Sequence, residues 1–153
     1  MDFTVEKDQG TIPFVLSQIL DTVVNGVTLS DPDQQDNPII YANAAFERIT
    51  GYTQDEIIGR NCRFLQGEDR DQPEIEGIRT AIRERRSVTL TLRNYRKDGT
   101  LFHNRFTVRP LFDPQGALIY FLGIQYDVSD LVLAEQAVSR LSAQLELHPP
   151  TAS

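Results

Sequence analysis

The sequence predicts an α+β domain: one five-stranded antiparallel sheet with short helices on one face and a further helix at each end. The order of the elements points there. Two β-rich runs come first, then short helical pieces and one longer helix, then three β-rich runs. The turns point there too, because Lys97-Asp98-Gly99 and Asp113-Pro114-Gln115-Gly116 separate the last three runs and join antiparallel neighbours. At 153 residues and 40% apolar content, the chain holds one core plus extensions.

Along the chain, residues 1–11 are polar and read as frayed. Ile12, Val15, Leu16, Ile19, Leu20 and Val23 recur at helical spacing, and Asn25-Gly26 ends that helix. Val27 to Ser30 and Ile39 to Tyr41 form a hairpin around the turn-rich segment 31–38. Asn43 suits the N-cap of Ala44 to Thr50, and Thr53-Gln54-Asp55-Glu56 fits a capping box. Gly51, Gly59 and Gly67 keep these pieces short, with Asn61 to Gln66 another turn. Pro73 opens a helix to about Arg86, with Ile75, Ile78 and Ile82 as its buried stripe. Strands follow at Val88–Arg96, Thr100–Pro110 and Ala117–Val128. Ser129 caps a last helix to Leu147, stopped by Pro149-Pro150. The organisation is an extension over 1–24, a core over 25–128 and a helical tail over 129–153.

Composition excludes several classes. A net charge of −7 argues against nucleic-acid backbone binding, which needs a basic surface. No run reaches the roughly 18 apolar residues of a membrane span, and no basic stretch followed by an apolar one opens the chain. The single cysteine, Cys62, forbids an intrachain disulfide and a multi-cysteine metal site. His103 and His148 lack metal-ligand spacing, so no metal is expected, and the simplest compartment is the cytoplasm.

Period-2 reading of the last three strands places a carboxamide on each apolar face: Asn94 beside Leu90 and Leu92, Asn104 between Phe102 and Phe106, and Gln125 beyond Phe121 and Gly123. A carboxamide both donates and accepts, so the three read either as a binding edge for a flat heterocycle or as strand-end groups facing water. Gly123 would leave room for a ring. Cys62 reads either as a small buried hydrophobe or as a reactive thiol helped by the Arg63 cation and a helix end. No histidine near it in sequence offers a base, which counts against a cysteine-dependent enzyme. Arg83, Arg85 and Arg86 read as a solvated helix surface, whereas Arg63 and Arg79 bracket one loop and could hold a phosphate bidentately.

Gly59-Arg60-Asn61-Cys62-Arg63-Phe64-Leu65-Gln66-Gly67 resembles the signature of LOV domains, the flavin-binding, blue-light-sensing branch of the PAS superfamily. The resemblance continues in Asp36-Asn37-Pro38-Ile39-Ile40-Tyr41, in Asn94-Tyr95-Arg96-Lys97-Asp98-Gly99 and in Gly123-Ile124-Gln125, and it covers residues 25–128. It implies a PAS fold and a bound flavin mononucleotide (FMN). It matches Cys62 to the photoactive cysteine, Asn61 and Gln66 to contacts with the ribityl chain and pocket, and Arg63 and Arg79 to the phosphate-binding arginines. It matches Asn94, Asn104 and Gln125 to the amides at the polar edge of the ring, and Leu65, Phe106 and Phe121 to ring-packing positions. His103, where the family often has an aromatic residue, and Thr28, where an aliphatic one is common, depart from the pattern and bear on adduct lifetime.

The resemblance further implies a photoreceptor and not an enzyme: blue light joins the Cys62 sulfur to flavin C4a, N5 gains a proton, and darkness reverses both. The Gln125 amide can answer that proton by turning its oxygen where its nitrogen was, four residues before Ser129. Leu131, Ala134, Val138, Leu141 and Leu145 alternate three and four apart, a coiled-coil seam for a homodimer or, alternatively, a helix folded back on its own sheet. Leu118, Tyr120, Leu122, Ile124 and Tyr126 make the outer sheet face apolar as well, so it needs cover too. The expected output is through the terminal helices and a homodimer, with the downstream partner unknown. A sensory fragment of a larger protein, such as a light-regulated histidine kinase, is the alternative, although the capped ends favour a complete chain.

Overall fold

The computed structural model describes residues 14–147. The expectations for residues 1–11, for Ile12, for the side chains of Val15 and Leu16 and for Pro149-Pro150 lie outside the described residues. The elements run α1 (Phe14–Thr22), β1 (Gly26–Ser30), β2 (Ile39–Ala42), α2 (Ala44–Thr50), α3 (Gln54–Ile57), a 3-10 turn (Cys62–Gln66), α4 (Glu74–Glu84), β3 (Val88–Tyr95), β4 (Leu101–Phe112), β5 (Leu118–Asp127) and α5 (Ser129–Leu147). The five strands form one antiparallel sheet in the order β2-β1-β5-β4-β3, so β5 sits at its centre. Among the described residues no helix is long and apolar enough to cross a membrane.

Local signals set most boundaries. Asn43 caps α2, its side-chain oxygen accepting from Phe46 N at 3.1 Å, and Gly51 ends the helix in the left-handed region at φ 77°. Thr53 and Glu56 form the expected reciprocal capping box on α3. The helix expected to reach Arg86 stops at Glu84, because Arg85 turns left-handed (φ 55°) and gives its N–H back to the carbonyls of Ala81 and Ile82. The strand expected to end at Pro110 pairs on to Phe112, through a register shift after Leu111.

Ser129 is a correction of detail. It is the first helical residue of α5, and the cap is Asp127, whose carboxylate accepts from Ser129 N at 3.0 Å and from its hydroxyl at 2.6 Å. The Ser129 hydroxyl in turn accepts from His103 N at 3.0 Å, which ties α5 to β4. At the other end, α1 stops at Thr22, before the expected Asn25-Gly26. Polar bonds tie it to α2: Asn43 Nδ2 donates to Leu20 O (2.9 Å), and Ala44 N donates to Asp21 Oδ1 (2.9 Å), while Ile19 is 55% exposed.

The inner sheet face carries the predicted alternation, with Leu92, Phe102, Phe106, Val108 and Phe121 buried on it. Its apolar residues fall in two clusters. One joins Ile75 and Ile78 of α4 to Leu92, Phe106, Val108 and Phe121. The other joins Ile39, Ala42, Phe46, Ile57 and Leu65. Cys62 packs against both. The outer face of β5 is half-buried, with Tyr126 exposed.

Asn43 is the polar keystone of the second cluster: it also accepts from Val27 N (2.8 Å) and donates to Asn25 O (3.0 Å). Asn43→Ala removes a cap and leaves these buried groups unpaired, so it is expected to lower the unfolding free energy by about 3 kcal/mol in a denaturant titration. A loss below about 1 kcal/mol would contradict this account of the packing.

Candidate functional site

Cys62 opens the 3-10 turn, between Gly59 (φ 90°) and Gly67 (φ 56°). Asn61 holds the start of the turn. Its side-chain oxygen accepts from Arg63 N at 3.0 Å, and its Nδ2 donates to Asp36 O at 2.8 Å. The Arg63 guanidinium forks onto the Asp36 carboxylate, Nη1 meeting Oδ1 at 2.8 Å and Nη2 pairing with Oδ2. That pair is about half exposed and weak on its own, but together with the Asn61 bond it pins the turn to the segment before β2. Arg63 also holds the Asp36 carboxyl below its ordinary range. Asp36 (φ 69°) and Asn37 (φ 48°) are consecutive left-handed non-glycine residues, a strained geometry that the fold maintains beside the turn.

Burial pushes the Cys62 thiol up to about 11, and the neighbouring Arg63 charge only partly offsets it. The reactive-thiol reading, in which a cation and helix end activate the sulfur, is therefore reversed in sign. At neutral pH Cys62 is a protonated thiol, carrying its own proton.

One cleft, with a cavity volume of about 120 Å³, gathers the predicted residues Asn61, Cys62, Arg63, Leu65, Gln66, Arg79, Asn94, Asn104, Phe106 and Gln125. Phe121 is placed differently: it lines a smaller adjoining pocket with Thr28 and Gly123, and Cys62 and Phe106 border both spaces. Sequence reasoning did not single out Asn37, Leu92 or the Ile75, Ile78 and Ile82 stripe as cleft walls, although all line it. The stripe was visible as a buried face of α4; that it borders a cleft is set by how α4 lies over β3. For Asn37 the available signal was its place before Pro38, at the end of a turn-rich loop.

The amides are linked but incompletely paired. Asn104 Nδ2 donates to Asn94 Oδ1 at 2.9 Å, and Asn94 Nδ2 donates to Arg93 O at 2.9 Å. Gln125 Nε2 donates to Thr28 Oγ1 at 3.3 Å. Asn37 Oδ1, Asn104 Oδ1 and Gln125 Oε1 are buried and have no partner. Each such orphan costs roughly 1–3 kcal/mol, so these residues suit a ligand with a polar edge, which a carboxamide can meet with either its oxygen or its NH2 group. The apolar walls suit a flat ring. At the mouth, Arg79 is mostly exposed and meets Glu76 only at 3.9 Å, leaving its guanidinium available to an anion. Arg83, Arg85 and Arg86 are exposed surface, as expected.

Gly123 does not leave space for a ring as expected. A Cβ there would stand 2.4 Å from Thr28 Oγ1 and 3.0 Å from both Gln125 Nε2 and Phe106 Cε2, so the glycine makes room for neighbouring side chains.

The segment between the 3-10 turn and α4 is clamped to β3. Asp69 accepts from Arg93 at 2.8 and 2.9 Å and from the Tyr95 hydroxyl at 2.6 Å, while Gln72 exchanges bonds with Arg93 N (2.8 Å) and O (3.0 Å).

A family profile described as "PAS domain" matches residues 24–130. A protein named "Blue-light photoreceptor" from Listeria monocytogenes serovar 1/2a is 52% identical over 104 residues, which is 68% of this chain and 41% of that protein. A "Blue-light-activated histidine kinase 1" from Erythrobacter litoralis is 43% identical over 122 residues, 78% of this chain and 34% of that protein. Among solved structures, one titled "Structure of an RNA-binding Light-Oxygen-Voltage Receptor" superposes with a TM-score of 0.80 at 35% identity, covering 97% of this chain and 41% of that one. The chain thus spans 41% or less of the length of these proteins.

The Asp69 carboxyl, held down to about 2 first by Arg93 and then by Tyr95, sets a pH dependence for the clamp. Its contribution is complete above the ordinary carboxylate range of about 4 and is lost as pH falls through about 2. A side-chain carboxyl titration followed by NMR is expected to place the Asp69 midpoint near 2. A midpoint near 4 would show that the clamp does not hold in solution.

Proposed function

The chain belongs to the PAS domain family, as a LOV domain, and on that premise we propose that it is a blue-light photoreceptor that holds FMN in the cleft and turns over no substrate. The observation that carries the proposal is the convergence on one cleft of a half-buried, protonated cysteine thiol and unpaired amide oxygens, with arginines at the mouth. When bound, the flavin supplies blue absorption and a carbon, C4a, that takes up sulfur reversibly.

The chain's residues divide the remaining work. Arg79 would hold the phosphate at the mouth; Arg63, the second candidate, has its guanidinium engaged with Asp36 here. Asn61 and Gln66 line the path of the ribityl chain. Asn94, Asn104 and Gln125 would read the polar edge of the ring and Leu65 and Phe106 would pack against it, while Phe121 lines the adjoining pocket. Cys62 would supply sulfur and proton together to the bound ring and take both back in darkness, so no outside acid, base or oxidant would be required.

Gln125 carries the event outward. A proton gained at the ring edge would be met by the Gln125 amide turning its oxygen toward that edge. Two residues along β5, Asp127 caps α5 and also accepts from Arg96 Nη2 at 2.8 Å, so a movement of β5 is felt at the root of that helix. The α5 seam points to a second copy of the chain as the receiver: Leu131, Val138, Leu141 and Leu145 are 50–62% exposed and are not folded onto the sheet. The kinase-module reading keeps support from the histidine-kinase relative, of which this chain spans 34%.

The purified chain is expected to be yellow, to bleach under blue light and to recover in darkness. Cys62→Ala is expected to bind the same cofactor and lose the bleaching entirely; a variant that bleached with an unchanged spectrum would overturn the role of Cys62. Light scattering is expected to give the mass of two chains, and Val138→Glu with Leu141→Glu to give one. A one-chain mass for the unaltered protein in both dark and light would contradict the dimer.

A further inference from the structure

Thr28 and Gln125 form a buried pair, 4% and 1% exposed, that the site as described leaves without a role for the threonine. The strands do not place them opposite each other. Thr28 pairs with Gly123, and Gln125 pairs with Gly26. The Thr28 hydroxyl reaches Gln125 Nε2 at 3.3 Å diagonally, past Gly123. A Cβ at Gly123 would come within 2.4 Å of that hydroxyl, so only glycine there leaves the bond open. The other side chains around this pocket include Ile39, Ile82, Val108 and Phe121. A hydroxyl among them carries a desolvation cost that valine, of nearly the same shape, would avoid.

The hydroxyl differs from every apolar alternative in one property: it can accept a hydrogen bond or donate one. At present it accepts from the Gln125 NH2 group. If the amide turns through half a rotation, the carbonyl faces Thr28, and the hydroxyl then donates to it. We propose that Thr28 is a positioning residue that supplies a partner to the inner end of the Gln125 amide in both orientations. Thr28 thereby lets a fully buried carboxamide reverse without stranding a polar group. Gly123 is the gap through which the two side chains meet.

The inference rests on the amide reversal proposed above and adds to it a second reversal, that of the Thr28 hydroxyl. Before light, with the ring bound, the amide would offer its NH2 group to the ring edge and its carbonyl would accept from Thr28, the reverse of the orientation in the flavin-free structure. After light, the carbonyl faces the protonated edge, and Thr28 accepts from the NH2 group.

The test is light-minus-dark infrared spectroscopy on flavin-loaded protein with isotope-labelled glutamine, read in the unaltered chain, Thr28→Val and Thr28→Ser. Side-chain amide NMR of Gln125 in the flavin-free chain is read alongside it. In the unaltered chain the Gln125 carbonyl band is expected to shift on illumination. Thr28→Val is expected to move the dark band upward, as a carbonyl that has lost its O–H donor, while leaving the light band in place. It is also expected to displace the Gln125 amide resonance in the flavin-free chain. Thr28→Ser is expected to restore both. If the unaltered chain shows no carbonyl shift on illumination, the amide reversal itself fails. If it shows the shift and Thr28→Val leaves both bands and the resonance unmoved, the role of Thr28 fails.

Discussion

Everything in this structure turns on enclosing one thiol between two halves of a core. Half-buried Cys62 packs against the cluster under α4 and against the cluster around Phe46, at the junction of the two. Burial decides its chemistry. An exposed cysteine beside an arginine would lean toward thiolate, but desolvation outweighs the Arg63 charge here and keeps the proton on sulfur. A buried thiol is useful only if the backbone holds it in one place. Asp36 does that twice, through its carbonyl to Asn61 and its carboxylate to Arg63, on the two sides of Cys62. The left-handed geometry of Asp36 and Asn37 is the strain that this arrangement carries.

The second constraint is polar. An inner sheet face that would pack best as pure hydrocarbon instead carries Asn94, Asn104 and Gln125, all buried. Antiparallel register brings them together: Asn94 faces Phe102, Leu92 faces Asn104, and Phe106 faces Gln125, so the amides lie on diagonals across β3, β4 and β5. Some of their bonds are made to one another and to Thr28, while two of their oxygens remain unpaired. Such a face costs stability, and the proposed recognition of a flat ring with a polar edge would offset that cost.

The readable part of the sequence was the part governed by local rules. Strict alternation placed Asn94, Asn104 and Gln125 inward, and capping chemistry placed Asn43 and Thr53, because each depends on neighbours within a few residues. What sequence reading missed was set by distant partners. Ser129 has the chemistry of a cap, but Asp127 takes the role and Ser129 bonds across to His103. Gly123 suggested space for a ligand, and Thr28 on another strand fills that space. Phe121 alternates inward as predicted, yet it lies behind Phe106 in an adjoining pocket. The sign of the Cys62 shift depends on how deeply the turn is buried, which no adjacent residue reveals.

The central claim is that the group consumed by light is a protonated thiol. The direct measurement is the sulfur–hydrogen stretching band of Cys62, the chain's single cysteine, followed by infrared difference spectroscopy under blue light and then in darkness. This account predicts a band present before illumination, lost with bleaching and regained at the rate of dark recovery. A band absent from the dark protein, or unchanged while the colour bleaches, would contradict it.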